Sequence, residues 1–201
     1  MENMPEFNDL TADQAKVFIK DSEGWVVRDI IARMINDAIP DRILDVGCGN
    51  GNCASRYSPE KYVGLDVSAS LLNAAKIQNP KHIFMQGNAG FLPFHDKTFD
   101  YVFCISLLEH LHTLSDAREV LLEMIRVASK KVYVNWHKIP ILGGPTKIRS
   151  WKDSTERHFG MTVYSNIYNI YDLTYGILDV AAVTQYNVNA TTAVWEVKIN
   201  G

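Results

Sequence analysis

Apolar positions along the chain follow two rhythms that take turns. Short runs rich in β-branched and aromatic residues, "RILDV" (42–46), "KYVGL" (61–65), "HIFMQ" (82–86), "FDYVFCI" (99–105) and "KVYVNW" (131–136), read as strands. "HIFMQ" and "FDYVFCI" are nearly continuous in apolar character, as expected of strands buried on both faces. Helical spacing separates these runs. Ala117, Val120, Leu121, Met124 and Ala128 fall on one face of a helix from about Asp116 to Ala128. Ser68 is a good N-cap for the helix in "DVSASLLNAAK". "TADQ" at 11–14 has capping-box spacing and opens a helix to about Lys20, and a second runs from about Gly24 to Ile39, stopping at Pro40.

This alternation predicts a parallel sheet covered by helices on both faces. The end of the chain differs. "DVAAVTQYNV" and "TTAVWEVKI" are joined by a few residues around Asn189, too few for a crossover helix, so they form an antiparallel hairpin. The expected fold is an open, mostly parallel α/β sheet with an antiparallel edge, without internal repeats or a Gly/Ser linker.

Length and composition narrow the class. A chain of 201 residues with 47% hydrophobic and 21% charged residues is expected to form one domain, 1–201, with an ordinary core. The first ten residues are acidic and lack the basic and apolar regions of a secretory signal, and no apolar run approaches the ~20 residues of a membrane span. A cytoplasmic location is the expectation. The net charge of −3 gives no strong field toward nucleic acid or anionic membrane. Cys48, Cys53 and Cys104 are odd in number and lack C-x-x-C spacing, so reduced thiols are expected rather than a disulfide framework or a metal site.

The candidate chemistry begins at "DVGCGNGN", 45–52, where three glycines follow the first strand. Glycine there permits a tight turn, or a backbone that comes very close to a ligand, and a helix from about Gly51 would offer unpaired N–H groups. Asp66 ends the second strand. Its carboxylate can accept from both hydroxyls of a ribose, or it can cap the helix that Ser68 begins. A dinucleotide fingerprint places its third glycine where Asn52 stands, and Asp45 is more polar than that pattern expects.

In order, "ILDVGCGNG", "YVGLDVS" and "GNAGFLPFHDKTFDYVFCISLLEHL" resemble the class I (Rossmann-like) S-adenosylmethionine-dependent methyltransferases, and the C-terminal hairpin resembles the edge of their seven-stranded sheet. The resemblance runs from about Trp25 onward. It implies S-adenosylmethionine as cofactor, S-adenosylhomocysteine as product, and these roles. Gly47, Cys48 and Gly49 would face the methionine part of the cofactor, with Asp45 near its amino group and Arg28 near its carboxylate. Asp66, beside Val67, would bind the ribose. Asn88 and Ala89 would meet the adenine edge, and the Ile105 carbonyl the ammonium. Many relatives have Asp where Asn88 stands, and an amide can still accept from and donate to the base.

A sulfonium methyl is already activated, so positioning and exclusion of water do much of the work. A hydroxyl or ammonium acceptor also needs a proton acceptor, for which His137, His110 and His158 are the candidates. The acceptor pocket is expected in 135–176, with residues 1–40 as a helical cap. That segment holds "GGP" at 143–145 and a basic group of Lys147, Arg149, Lys152 and Arg157 that reads as a solvated face or an anion-binding rim. Tyr164, Tyr168, Tyr171 and Tyr175 lie on one helical face, either as packing or as an aromatic box.

The expected partner is a small-molecule acceptor. Nucleic acid is disfavoured because "CISL" replaces the Asn/Asp-Pro-Pro-Tyr/Phe run of base amino-methylating relatives. The alternatives are a cofactor-binding regulatory subunit without turnover, a protein or RNA acceptor, or a nicotinamide-dependent oxidoreductase, which Asn52 disfavours.

Overall fold

The computed structural model describes residues 22–111, 113–137, 149–150, 162–163, 173–188 and 192–200. Helix α1 (Ser22–Asn36) leads into strand β1 (Ile43–Val46), followed by β2 (Tyr62–Asp66), α2 (Ala69–Gln78), β3 (Ile83–Gln86) and β4 (Phe99–Cys104). Then come α3 (Leu114–Val127), β5 (Ala128–His137), the short strands β6 (Arg149–Ser150) and β7 (Thr162–Val163), and the long pair β8 (Val180–Asn187) and β9 (Thr192–Ile199). The main sheet has seven strands in the order β3-β2-β1-β4-β5-β9-β8. Pairing from β3 through β5 is parallel, whereas β9 pairs antiparallel with both β5 and β8. The expected mixed α/β sheet and its antiparallel edge are both present.

Strand alternation feeds two cores. Leu44, Val46, Leu65, Val102 and Cys104 pack under α3, where Ala117, Val120, Leu121 and Met124 are all buried. On the other face Ile43, Tyr62, Tyr101 and Phe103 meet Val27, Ile31 and Ile35 of α1 and Leu72 and Ala75 of α2. Both ends of α3 are fixed locally. A reciprocal capping box joins Thr113 and Asp116, and Arg126 binds Glu123, Asp96 and the carbonyls of Leu92 and Phe94.

Three local expectations change. Helix α1 stops at Asn36, because Ile39 sits at φ 49 and the residue before Pro40 is excluded from the helical region. No α-helix opens at Gly51. Gly51 is left-handed at φ 75 and Pro59 follows soon after, so the interval holds only one 3₁₀ turn, Ala54–Arg56. Finally, β3 is the sheet edge rather than a doubly buried strand: Phe84 is buried, but Ile83 is 54% and Met85 37% exposed. The helix expected at 11–20, the "GGP" loop, Lys147, Lys152, Arg157, His158 and the tyrosines at 164, 168 and 171 lie outside the described residues.

Candidate functional site

The chain leaves β1 toward β2 on one side, while β4 adds on the other. The carboxyl end of β1 is therefore the topological switch point, where open α/β sheets place their ligands. The glycine turn occupies it. Gly47, Gly49 and Gly51 all have positive φ, at 73°, 53° and 75°. Their surroundings differ. A Cβ on Gly47 would stand 3.0 Å from Leu107, and one on Gly51 would stand 3.0 Å from each of Ala75, Asn79 and Phe84. A Cβ on Gly49 would meet nothing within 4 Å. Packing therefore demands two of the glycines, and the middle one borders open space.

Four backbone donors of the turn are taken. Gly47 and Cys48 N–H both donate to the Leu65 carbonyl, at 2.7 and 3.0 Å, and Gly51 donates to the Cys48 carbonyl at 3.0 Å. Gly49 N–H donates to Asp66 Oδ2 at 2.8 Å. The expected α-helical N-terminus is not formed there, since only the 3₁₀ turn Ala54–Arg56 follows. What the turn offers is close approach.

Asp66 takes the capping role that its position offered. Its Oδ1 accepts from Ser68 N–H at 2.9 Å while Oδ2 ties down the turn, so it caps the start of α2. Burial outweighs its backbone donors and raises its pKa above the ordinary carboxylate value. The Asp66 carbonyl accepts from Gly87 N–H at 3.0 Å, which joins the ends of β2 and β3. Val67 is 44% exposed, and its carbonyl accepts from Gln86. Asn88 is exposed just beyond, with Oδ1 accepting from Gly90 N–H at 2.8 Å, so part of its acceptor capacity already goes into its own turn. Ala89 packs against the α3-side core.

Asp45 is the unusual member. It is only 2% exposed, and its Oδ2 accepts from the Tyr62 hydroxyl at 2.7 Å. Burial pushes its pKa up to about 7, against the lowering effects of the Tyr62 hydrogen bond and the Arg28 charge. Arg28 is half-buried on α1 and also touches the Cys53 thiol. Burial also raises the thiols of Cys48 and Cys53, which keeps both neutral.

After β4, buried Ile105 is followed by Ser106 at φ 55. Asn135 of β5, 2% exposed, accepts the Ser106 N–H at 2.6 Å and so supports this left-handed residue. Leu107 then closes beneath Gly47, and His110 ends the 3₁₀ turn Leu108–His110, half-buried. Strand β7 lies against that turn. His137 ends β5 next to β4, and its backbone alone is described. The fold thus brings Arg28, Asp45, Gly47, Cys48, Gly49, Asp66 and Val67 around the end of β1, with Ile105 and His110 following the adjacent strand. Sequence reasoning passed over Tyr62, Asn135 and Asn50. Asn50 is 5% exposed, and its Nδ2 has no hydrogen-bond partner among the described residues. Polar residues inside the apolar runs "KYVGL" and "KVYVNW" were the available signal for the first two. No group of His, Cys, Asp and Glu among the described residues could hold a metal.

With this geometry in place, residues 44–134 match the family described as "Methyltransferase domain". Residues 44–134 thus resemble a methyltransferase domain. The chain is 32% identical over 108 residues to a demethylmenaquinone methyltransferase of Thermotoga maritima, covering 52% of this chain and 46% of the relative. Against a fatty-acid O-methyltransferase of Mycolicibacterium smegmatis it is 37% identical over 92 residues, 43% of this chain and 32% of the relative. The chain thus spans less than half the length of these curated relatives. In three dimensions it resembles the magnesium protoporphyrin IX methyltransferase of Synechocystis PCC 6803, solved with bound SAH. The TM-score is 0.69 at 14% identity, and 96% of each chain is covered. This likeness extends the shared fold of the methyltransferase domain across nearly the whole chain. Among the described residues no helix is long and apolar enough to cross a membrane.

Proposed function

We propose that this chain binds S-adenosylmethionine and transfers its methyl group to a small-molecule acceptor. The observation that carries the reading is the pairing of Gly49 with Asp66. A buried carboxylate grips the one glycine of the turn that borders open space, so a ribose at the carboxylate would hold the rest of its nucleoside against bare backbone. The other side chains fit the same ligand. Asp45 and the Ile105 carbonyl would take the ammonium, Arg28 the carboxylate, and Asn88 with Ala89 the adenine edge. Asn50 Nδ2 is a buried donor still in need of an acceptor. When bound, the cofactor supplies an activated methyl group, and the chain's own task is to orient the acceptor, exclude water and receive a proton where one is released. His110 and His137 are the proposed proton acceptors, since both follow adjacent parallel strands at the same rim. The small-molecule class is supported by the net charge of −3 and by the names of the curated relatives.

Thermal melts with S-adenosylmethionine, S-adenosylhomocysteine and NAD test the reading. A ligand at ~100 times its dissociation constant adds about 2.7 kcal/mol of stability. Stabilisation by both adenosyl compounds and not by NAD is expected; the reverse pattern overturns it. Turnover is then sought across panels of small hydroxyl, amine and carbon acids. His137→Ala is expected to reduce turnover and leave cofactor affinity within a factor of a few.

A further inference from the structure

Tyr62 is the first residue of β2 and is wholly buried. Its ring is held on three sides. It stacks on Tyr57 at 5.7 Å and 18°, and presents faces and edges to His82 at 5.5 Å and Phe84 at 6.0 Å. A phenylalanine would fill this aromatic box equally well. The hydroxyl has one recorded partner, Asp45 Oδ2 at 2.7 Å. Burial raises the pKa of the phenol well above its ordinary value, so it remains a donor at every working pH. The other groups acting on Asp45 are Arg28 from α1, which favours its charge, and Asp66 at the end of β2, which opposes it. The thiols of Cys48 and Cys53 and the phenol of Tyr57 complete the surroundings, and burial keeps all three neutral. Among the described residues no hydrogen bond reaches Asp45 Oδ1.

We infer that Tyr62 is a positioning residue for ligand binding: its hydroxyl holds Asp45 by one oxygen and sustains its negative charge, so that the other oxygen serves a cationic ammonium group. The inference rests on the cofactor reading above and adds a residue that acts through Asp45 without touching ligand. An O–H donor to a carboxylate stabilises the ionised form. Asp45 titrates near neutrality in the free protein, so an arriving ammonium group meets a partly protonated carboxyl and displaces its proton to solvent. Loss of the hydroxyl leaves more of the carboxyl protonated at neutral pH, and alkaline pH restores the charge.

The test is titration calorimetry of S-adenosylhomocysteine from about pH 6 to about pH 9, in buffers of different ionisation enthalpy. 5′-Methylthioadenosine, which lacks the ammonium and carboxylate, serves as the control. The wild type is expected to release protons near neutral pH with the first ligand and none with the second. Tyr62→Phe is expected to bind S-adenosylhomocysteine roughly tenfold more weakly at neutral pH, the gap closing to about twofold at the alkaline end, with methylthioadenosine unaffected. Asp45→Asn should abolish proton release. A Tyr62→Phe loss that is equal at every pH, or no loss at all, overturns the inference while leaving the cofactor reading intact. Failure of the wild type to bind either ligand removes both. Were Tyr62→Phe not to fold, absence of proton release in the wild type would still refute it.

Discussion

Asp66→Ala separates structure from function at the site in one variant. The carboxylate accepts two backbone N–H groups, Gly49 at 2.8 Å and Ser68 at 2.9 Å, in a residue only 9% exposed. Truncation leaves both donors inside the protein without their acceptor. Each hydrogen bond to a charged group is worth about 1.5–3 kcal/mol. Relief from burying the carboxylate offsets part of this loss, because burial is the largest influence on Asp66 and it opposes ionisation. The expected net cost is about 2–4 kcal/mol, which for a chain of this size lowers Tm by about 5–15 °C. Chemical denaturation of the ligand-free variant measures the first effect. Calorimetry with S-adenosylhomocysteine measures the second, an expected loss of at least about tenfold in affinity, since the ribose acceptor is gone as well. The outcomes are separable. Unchanged stability would mean the Gly49 tie is not formed. Lowered stability with unchanged affinity would reduce Asp66 to a helix cap and refute its part in holding a nucleoside.

Gly47→Ala and Gly49→Ala are expected to diverge. Both place an L-residue in the left-handed region at a cost of about 1–2 kcal/mol, but only Gly47→Ala also drives a Cβ to 3.0 Å from Leu107. Denaturation should therefore show the larger loss at Gly47, while calorimetry should show cofactor affinity failing at Gly49 in a protein that remains folded. Asp45 sets a pH dependence in the ligand-free protein. Its folded pKa is raised from 3.8 to about 7, so its contribution is most favourable below the unfolded value and is lost as pH rises through that window. Asp45→Asn should flatten this decline, seen as a rising stability of the variant relative to wild type between about pH 4 and about pH 7.

The order of elements, the parallel sheet and the antiparallel edge were legible because they follow from local rules. Apolar runs of strand length alternate with helical spacing, and a link of a few residues around Asn189 admits only a hairpin. Gly47, Gly49, Asp66 and Ser68 were equally legible, since positive φ and N-capping are carried by single residue types. What the sequence left open depends on neighbours far along the chain. "HIFMQ" has the composition of a doubly buried strand, and only its position at the sheet edge exposes Ile83 and Met85. Nothing in "GCGNG" tells which glycines are demanded by packing and which one borders open space. Leu107, Ala75 and Phe84 decide that, and they arrive from three other elements. The helix expected at Gly51 failed for the same reason, as left-handed glycines joined to Leu65 and Asp66 leave no helical start before Pro59. The titration of Asp45 is the clearest case. A carboxylate in a sequence is an ordinary acid, and it becomes one poised near neutrality only when a sheet buries it against the hydroxyl of Tyr62 and a helix brings Arg28 alongside.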